Sequence, residues 1–198
     1  KARKLTWRHL IDLYGMDTTI PLFRTFRRLW ESDESARPML ACQMALARDP
    51  LLQLSQDKIL SLAPGQWLPR EEMEQALDEQ CPDRYSKAML KSLAQNVNGT
   101  WTHAGFLKGR TKKHRAEPDV RPANVVFALF LAYLQGATGN RLFTSKWTLL
   151  LSCRQERLLE LARQASYSGM INFKHSSEVV EVTFPDYLSK EEESWLHE

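Results

Sequence analysis

The sequence predicts a mainly helical protein, a helical bundle followed by a carboxyl-terminal part that is winged-helix-like and ends in a β-hairpin. Three observations predict it. Apolar residues recur at three- and four-residue spacing through most of the 198 residues. Prolines stand at the starts of these periodic stretches and glycines at their ends. Only near the carboxyl end does the period shorten to two, in Val179–Phe184.

The elements follow in order. Leu5–Tyr14 is amphipathic. Pro21 opens a second helix to about Glu31, with Leu22, Phe23, Phe26, Leu29 and Trp30 on one face and Arg24, Arg27 and Arg28 on the other. Ser35 is placed to cap a third helix near Pro38, through Met39, Cys42 and Leu46. Pro50 starts a fourth, through Leu54 and Leu60, which the Pro64–Gly65 turn closes. Pro69 opens a fifth, whose early Glu71, Glu72 and Glu74 suit the positive end of a helix dipole.

Asp83 is placed to cap a sixth helix, Arg84–Asn98. At about 100° per residue Tyr85, Met89, Leu93 and Val97 form its apolar stripe, and Arg84, Lys87, Lys91, Gln95 and Asn98 the opposite face. Gly99 ends it, and Trp101–Leu107 leads into the basic run Lys108–Arg115, expected as an exposed, mobile loop before Pro118. The almost wholly apolar Ala123–Leu134, between Pro122 and Gly136, is expected as a central buried helix. It is much shorter than the roughly 20 residues of a bilayer-spanning helix. Gly139 and Asn140 make a turn and Ser145–Leu151 a short helix. Ser152 with Gln155 suggests a capping box for Gln155–Tyr167, which Gly169 stops. Ile171–Lys174 and Val179–Phe184 then pair as a hairpin around His175-Ser176-Ser177-Glu178, and the acidic end is expected to fray. This divides the chain into residues 1–83 and 84–198, two parts that can also pack as one unit.

The charge distribution carries the functional expectation. Net charge is +3 overall, yet it separates into +5 over residues 1–30, −7 over 31–83, +8 over 84–115 and −3 over 116–198. Between Arg84 and Arg115 no carboxylate interrupts Arg84, Lys87, Lys91, Lys108, Arg110, Lys112, Lys113 and Arg115. Such a segment suits a polyanion, most simply nucleic acid, and Arg24, Arg27 and Arg28 extend the patch if they fold nearby. Trp101 and Phe106 flank it; they anchor the loop to the core more readily than they stack on bases. Trp7, Trp30, Trp67 and Trp147 are spaced as core or edge residues.

Catalytic signals are weak. His9, His103, His114, His175 and His197 are dispersed without metal-ligand spacing, and no phosphate-cradling P-loop or nucleophile elbow is present. Glu71, Glu72, Glu74, Asp78 and Glu79 read as a solvated helix start. No enzyme, cofactor or metal is expected. Cys42, Cys81 and Cys153 are few, odd in number and scattered, which suits a reducing compartment. The basic, amphipathic Lys1–Tyr14 lacks the apolar core of a secretory signal. A cytoplasmic protein without a membrane span is expected.

Three runs, NGTWTHAGFLKGRTKKHR, PANVVFALFLAYLQGATGNRLFTSKWTLLL and LLELARQASYSGMINFKHSSEVVEVTFP, resemble the BrxA family, a small component of BREX bacteriophage-defence systems. The likeness covers about Arg84 to Pro185. It rests on Trp101 and Gly105 before the basic stretch, the apolar helix ending Tyr133-Leu134-Gln135-Gly136, and the Gly169 hairpin. The resemblance implies an amino-terminal bundle similar to the NusB antitermination fold, helix-turn-helix-like parts, nucleic-acid binding without a known enzymatic site, and other BREX components as partners. Double-stranded DNA is the leading expectation. RNA binding, or a scaffold whose basic patch docks an acidic protein, are the alternatives. An inner-membrane label given to some members is not supported by the short apolar segment here.

Overall fold

A computed structural model describes residues 2–176 and 179–195, apart from the side chains of Ala2, Leu5 and Trp195. Lys1 of the basic amino end, Ser177 and Glu178 of the expected hairpin turn, His197 and the last residues of the acidic end lie outside the described residues. The structure is mainly helical, with a small antiparallel hairpin near the carboxyl end. The chain divides into two compact units, residues 44–119 and residues 1–43 with 120–198. The sequence-based boundary at 83/84 falls inside the first of these.

The helices of the amino-terminal stretch are α1 (Ala2–Tyr14), α2 (Pro21–Ser32) and α3 (Arg37–Arg48), with a 3-10 turn at Glu34–Ala36 before α3. Asp33, not Ser35, caps this turn, its carboxylate accepting from the Ser35 N–H at 2.9 Å. The expected fourth helix is two, α4 (Pro50–Leu54) and α5 (Gln56–Ser61). Asp49 caps α4, accepting from the Leu51 and Leu52 N–H groups. The break comes at Ser55, whose hydroxyl turns into the core and donates to the Leu52 carbonyl at 2.6 Å.

Residues 44–119 continue with β1 (Trp67–Leu68), α6 (Arg70–Gln80), α7 (Lys87–His103), β2 (Leu107–Lys108) and β3 (Lys113–Arg115). The strands form one antiparallel sheet with β3 between β1 and β2. Trp67 pairs with His114, and Lys108 also with His114. α6 packs on α7, and α7 on β2. Leu52, Ile59, Leu68, Met73, Leu77, Ala94, Trp101 and Phe106 are buried in this unit.

The other unit is built on α8 (Pro122–Tyr133), in which every residue from Ala123 to Ala132 is buried. α2, α10 (Lys146–Leu150) and α11 (Gln155–Tyr167) pack against it, as does α9 (Asn140–Phe143). α11 runs into the hairpin of β4 (Asn172–His175) and β5 (Val180–Thr183), and α12 (Lys190–Trp195) follows. No capping box forms before α11: Ser152 has φ of +53°, and Arg154 stands at the cap without a side-chain bond. Among the described residues no helix is long and apolar enough to cross a membrane.

One polar residue lies inside the apolar helix. Asn124 is fully buried; its Oδ1 accepts from the Arg121 N–H and its Nδ2 donates to the Ala36 carbonyl, both at 2.9 Å. Gln43 Nε2 donates to the Asn124 carbonyl, also at 2.9 Å. One amide thus caps α8 and ties it to the turn before α3. Asn124→Leu keeps the volume but removes the Ala36 carbonyl's donor and the Arg121 amide's acceptor. It should cost about 2–4 kcal/mol of stability, read as a lower urea midpoint with helical content unchanged below the transition.

Candidate nucleic-acid interface

α7 differs in frame from the helix expected. It begins after Ser86, whose hydroxyl accepts from the Met89 N–H at 3.3 Å, and continues through Gly99 to His103. Asp83 sits in the preceding turn at φ +57° and caps nothing. Arg84 is therefore in a turn, exposed, its guanidinium 5.4 Å from the Tyr85 ring centre. The buried stripe is Leu90, Ala94, Val97, Asn98 and Trp101. Met89, expected inside, is 48% exposed, and Asn98, expected outside, is 5% exposed. Gly99 did not stop the helix because Trp101, one half-turn on, is seated in the core and holds the next turn in place.

Trp101 is fully buried. Its Nε1 donates to the Ser55 hydroxyl at 2.8 Å, and Phe106, also fully buried, meets it edge-on at 4.9 Å between ring centres. Both aromatics are anchors, as the sequence favoured. Gly105, at φ +86°, then turns the chain, and the Phe106 N–H bonds back to the Trp101 carbonyl at 2.9 Å.

The basic run is a tight hairpin and not a mobile loop. β2 and β3 hold Lys108 and Lys113–Arg115, leaving 109–112 as the tip. Gly109 has φ of +105°, and a Cβ there would stand 2.0 Å from the Lys112 carbonyl oxygen, so only glycine fits. Lys113, half-buried, donates to the Gly109 carbonyl at 2.9 Å and steadies the tip.

Arg115 is corrected outright. It is 6% exposed, its guanidinium donates to the Phe106 and Ala116 carbonyls, and it lies 5.0 Å from the Phe106 ring centre. Burial pushes its pKa down. Its place at the central strand turns it inward, so it holds β3 to the core and cannot track a backbone. Lys87 and Lys91 on α7, and Lys108, Arg110 and Lys112 at the hairpin, are exposed, and none of the five forms an ion pair among the described residues. On α7, Gln95 continues the Lys87–Lys91 row, and Ser92 and Asn96 lie exposed beside it. The sequence reading did not single out Ser92, Asn96 or Thr111 of the tip; its apolar stripe, drawn through Met89 and Leu93, put the first two beside the buried face. The helix row and the tip meet at a cleft of about 400 Å³, to which Gln95, Asn98 and Gly99 contribute from α7 and Arg110, Thr111 and Lys113 from the hairpin. Arg70 also reaches this cleft, where Glu71 and Glu74 neutralise it at 2.7 and 2.5 Å.

The α2 arginines belong to the other unit, and each is engaged there. Arg24 pairs with Glu192 at 2.6 Å and donates to the Tyr187 carbonyl. Arg27 pairs with Glu31 at 2.9 Å. Arg28 lies 4.8 Å from the Tyr187 ring centre and donates to the Pro185 carbonyl. The Ser189 N–H, and then Arg24, hold the Glu192 carboxyl below its ordinary pKa. Arg24 and Arg28 fasten the segment after β5 to α2, while Arg27 pairs within α2 itself.

No protein-family model, curated protein or solved structure matches the chain.

The geometry separates two kinds of basic residue. Arg115→Ala should lower stability by about 2–4 kcal/mol through lost packing and lost hydrogen bonds. The double change Arg110→Ala with Lys112→Ala should stay within about 1 kcal/mol of the parent. Thermal unfolding followed by circular dichroism measures both.

Proposed function

We propose that residues 44–119 form a winged-helix nucleic-acid-binding unit, with α7 as the helix laid against the ligand and the β2–β3 tip as the wing. The observation that carries it is the set of five exposed cations, Lys87, Lys91, Lys108, Arg110 and Lys112, distributed over α7 and the tip and in no ion pair among the described residues. The order helix, strand, helix, helix, strand, strand supports the unit, as does the placing of β3 between β1 and β2. The cations supply sequence-independent phosphate contacts. Ser92, Gln95 and Asn96 put a hydroxyl and two amides on the same helix, groups of the kind that bond to base edges.

Duplex DNA is the ligand proposed first, and the protein is taken as a non-enzymatic, BrxA-like accessory component of a phage-defence system acting in the cytoplasm. The resemblance over Arg84–Pro185 supports that setting. The succession of α11 and the β4–β5 hairpin supports a second winged-helix-like part, and helices α1 to α3 support a NusB-like amino-terminal portion. Other components of the defence system are the protein partners proposed.

Binding measured by fluorescence anisotropy against salt tests this. The logarithm of affinity should fall linearly with the logarithm of salt concentration. Lys87→Ala with Lys91→Ala, and Arg110→Ala with Lys112→Ala, should each flatten that slope by about 2, one per lost phosphate contact. Unchanged slopes would remove both surfaces from the interface. Single-stranded DNA and RNA of the same sequence rank the ligand classes, and RNA binding tighter than duplex DNA would displace the duplex proposal.

A further inference from the structure

The sheet of residues 44–119 has a second face. Side chains alternate along a strand, and here one set is buried: Leu68 on β1, Leu107 on β2 and Arg115 on β3. The other set forms a row across the three strands. Trp67 pairs in register with His114, and His114 with Lys108, so the three residues stand side by side on the outer face. Trp67 is 52% exposed, His114 half-buried and Lys108 exposed.

The strand that carries the indole is firmly held. The Arg115 N–H donates to the Gln66 carbonyl and the Gly65 N–H to the Arg115 carbonyl, both at 2.8 Å. Gln66 Oε1 accepts from the Ala63 N–H at 2.9 Å. Among the described residues no aromatic ring stacks on the indole and no cation lies over it. A fixed backbone thus presents an uncovered aromatic face.

Two features define what covers it. The indole offers a flat apolar surface of the kind on which an unstacked base lies. Lys108 stands two strand spacings away, about 10 Å, and Arg110 and Lys112 follow at the tip. All three cations are exposed and in no ion pair among the described residues. A purely apolar partner would cover the indole and leave the cations unanswered. The bases of a matched duplex are stacked on one another and offer the indole no face. A single strand answers both features, with a base for Trp67 and phosphates for the cations.

We propose that the outer face of the β1–β3–β2 sheet is a stacking platform for an unpaired nucleic-acid strand, with Trp67 against a base and Lys108, Arg110 and Lys112 along the phosphates. The platform rests on the nucleic-acid reading above and adds a second surface to it: α7 meets the duplex, and the sheet takes a strand that is not paired.

Fluorescence anisotropy at physiological salt tests this with four probes: an oligodeoxythymidine of about a dozen nucleotides, an oligouridine, an abasic strand of the same length, and a matched duplex. Whichever base-bearing strand the parent holds more tightly, DNA or RNA, names the source. Trp67→Leu should weaken that strand about tenfold, the size of one lost stack, and leave the abasic strand and the duplex as they are. Its Tm should stay close to that of the parent, because the position is exposed. Its salt slope should be unchanged, because a stack releases no counterions. Trp67→Phe should recover most of the affinity. A parent that binds the duplex but neither base-bearing strand, or strand binding undiminished in Trp67→Leu, overturns the platform and leaves the nucleic-acid reading standing. An equal loss on the abasic strand or the duplex means that the indole meets no base, and overturns it too. Absence of binding to every probe overturns the nucleic-acid reading, and the platform with it.

Discussion

The seating of Trp101 is the constraint on which residues 44–119 depend. A fully buried indole must find a partner for its one N–H, and it finds the Ser55 hydroxyl. That bond, with Phe106 packed edge-on, fixes the roll of α7 about its own axis. The roll decides that Lys87, Lys91 and Gln95 face outward and that Asn98 is buried beside the cleft. The same aromatic pair places the chain leaving α7 so that β2 begins at Leu107. Arg115 completes the arrangement by bonding back to the Phe106 carbonyl from β3. The exposed cations owe their positions to buried groups that carry no functional signal of their own.

The other unit solves a different problem. α8 is apolar on all sides, so it supplies a core without a preferred face, and its orientation has to be specified by something polar. Asn124 does this through three hydrogen bonds, two by its side chain and one at its carbonyl. Around it the aromatics Phe26, Phe127, Phe130, Phe184 and Tyr187 fill the remaining volume. Tyr187, buried at the segment after β5, has its phenol pushed up to about 12 by that burial. Arg24 and Arg28 are consumed in holding this segment. A positive residue on a helix face is thus available for a ligand only where no local carbonyl or carboxylate has already taken it.

The helices were largely legible in advance, and so was the carboxyl-terminal hairpin, because proline, glycine and apolar period act locally. Misreadings cluster where a local signal met a tertiary demand. Gly99 reads as a stop, yet the helix crosses it to deliver Trp101 to Ser55. Asp83 and Ser152 read as caps, yet both adopt positive φ in turns. Ser55 reads as one helix residue among others, yet it breaks the helix because its hydroxyl serves the indole. The basic run reads as a loop because its charge hides a period of two that is only a few residues long. Gly109 was the one local mark of the tight turn, and beside Lys108 and Arg110 it passed as part of a flexible stretch.

By itself the sequence determined that the protein is mainly helical, that α8 is buried, and that an acid-free basic segment lies between Arg84 and Arg115. These are sums over composition and short-range spacing, which need no knowledge of what packs where. Only the tertiary structure decided which of those cations meet solvent. It turned Arg115 inward, shifted the frame of α7, and brought Gln95 and Asn98 against the hairpin tip. The physical reason is that burial depends on partners distant in sequence: the indole that sets the roll of α7 is answered by a hydroxyl 46 residues away, and no window along the chain contains both.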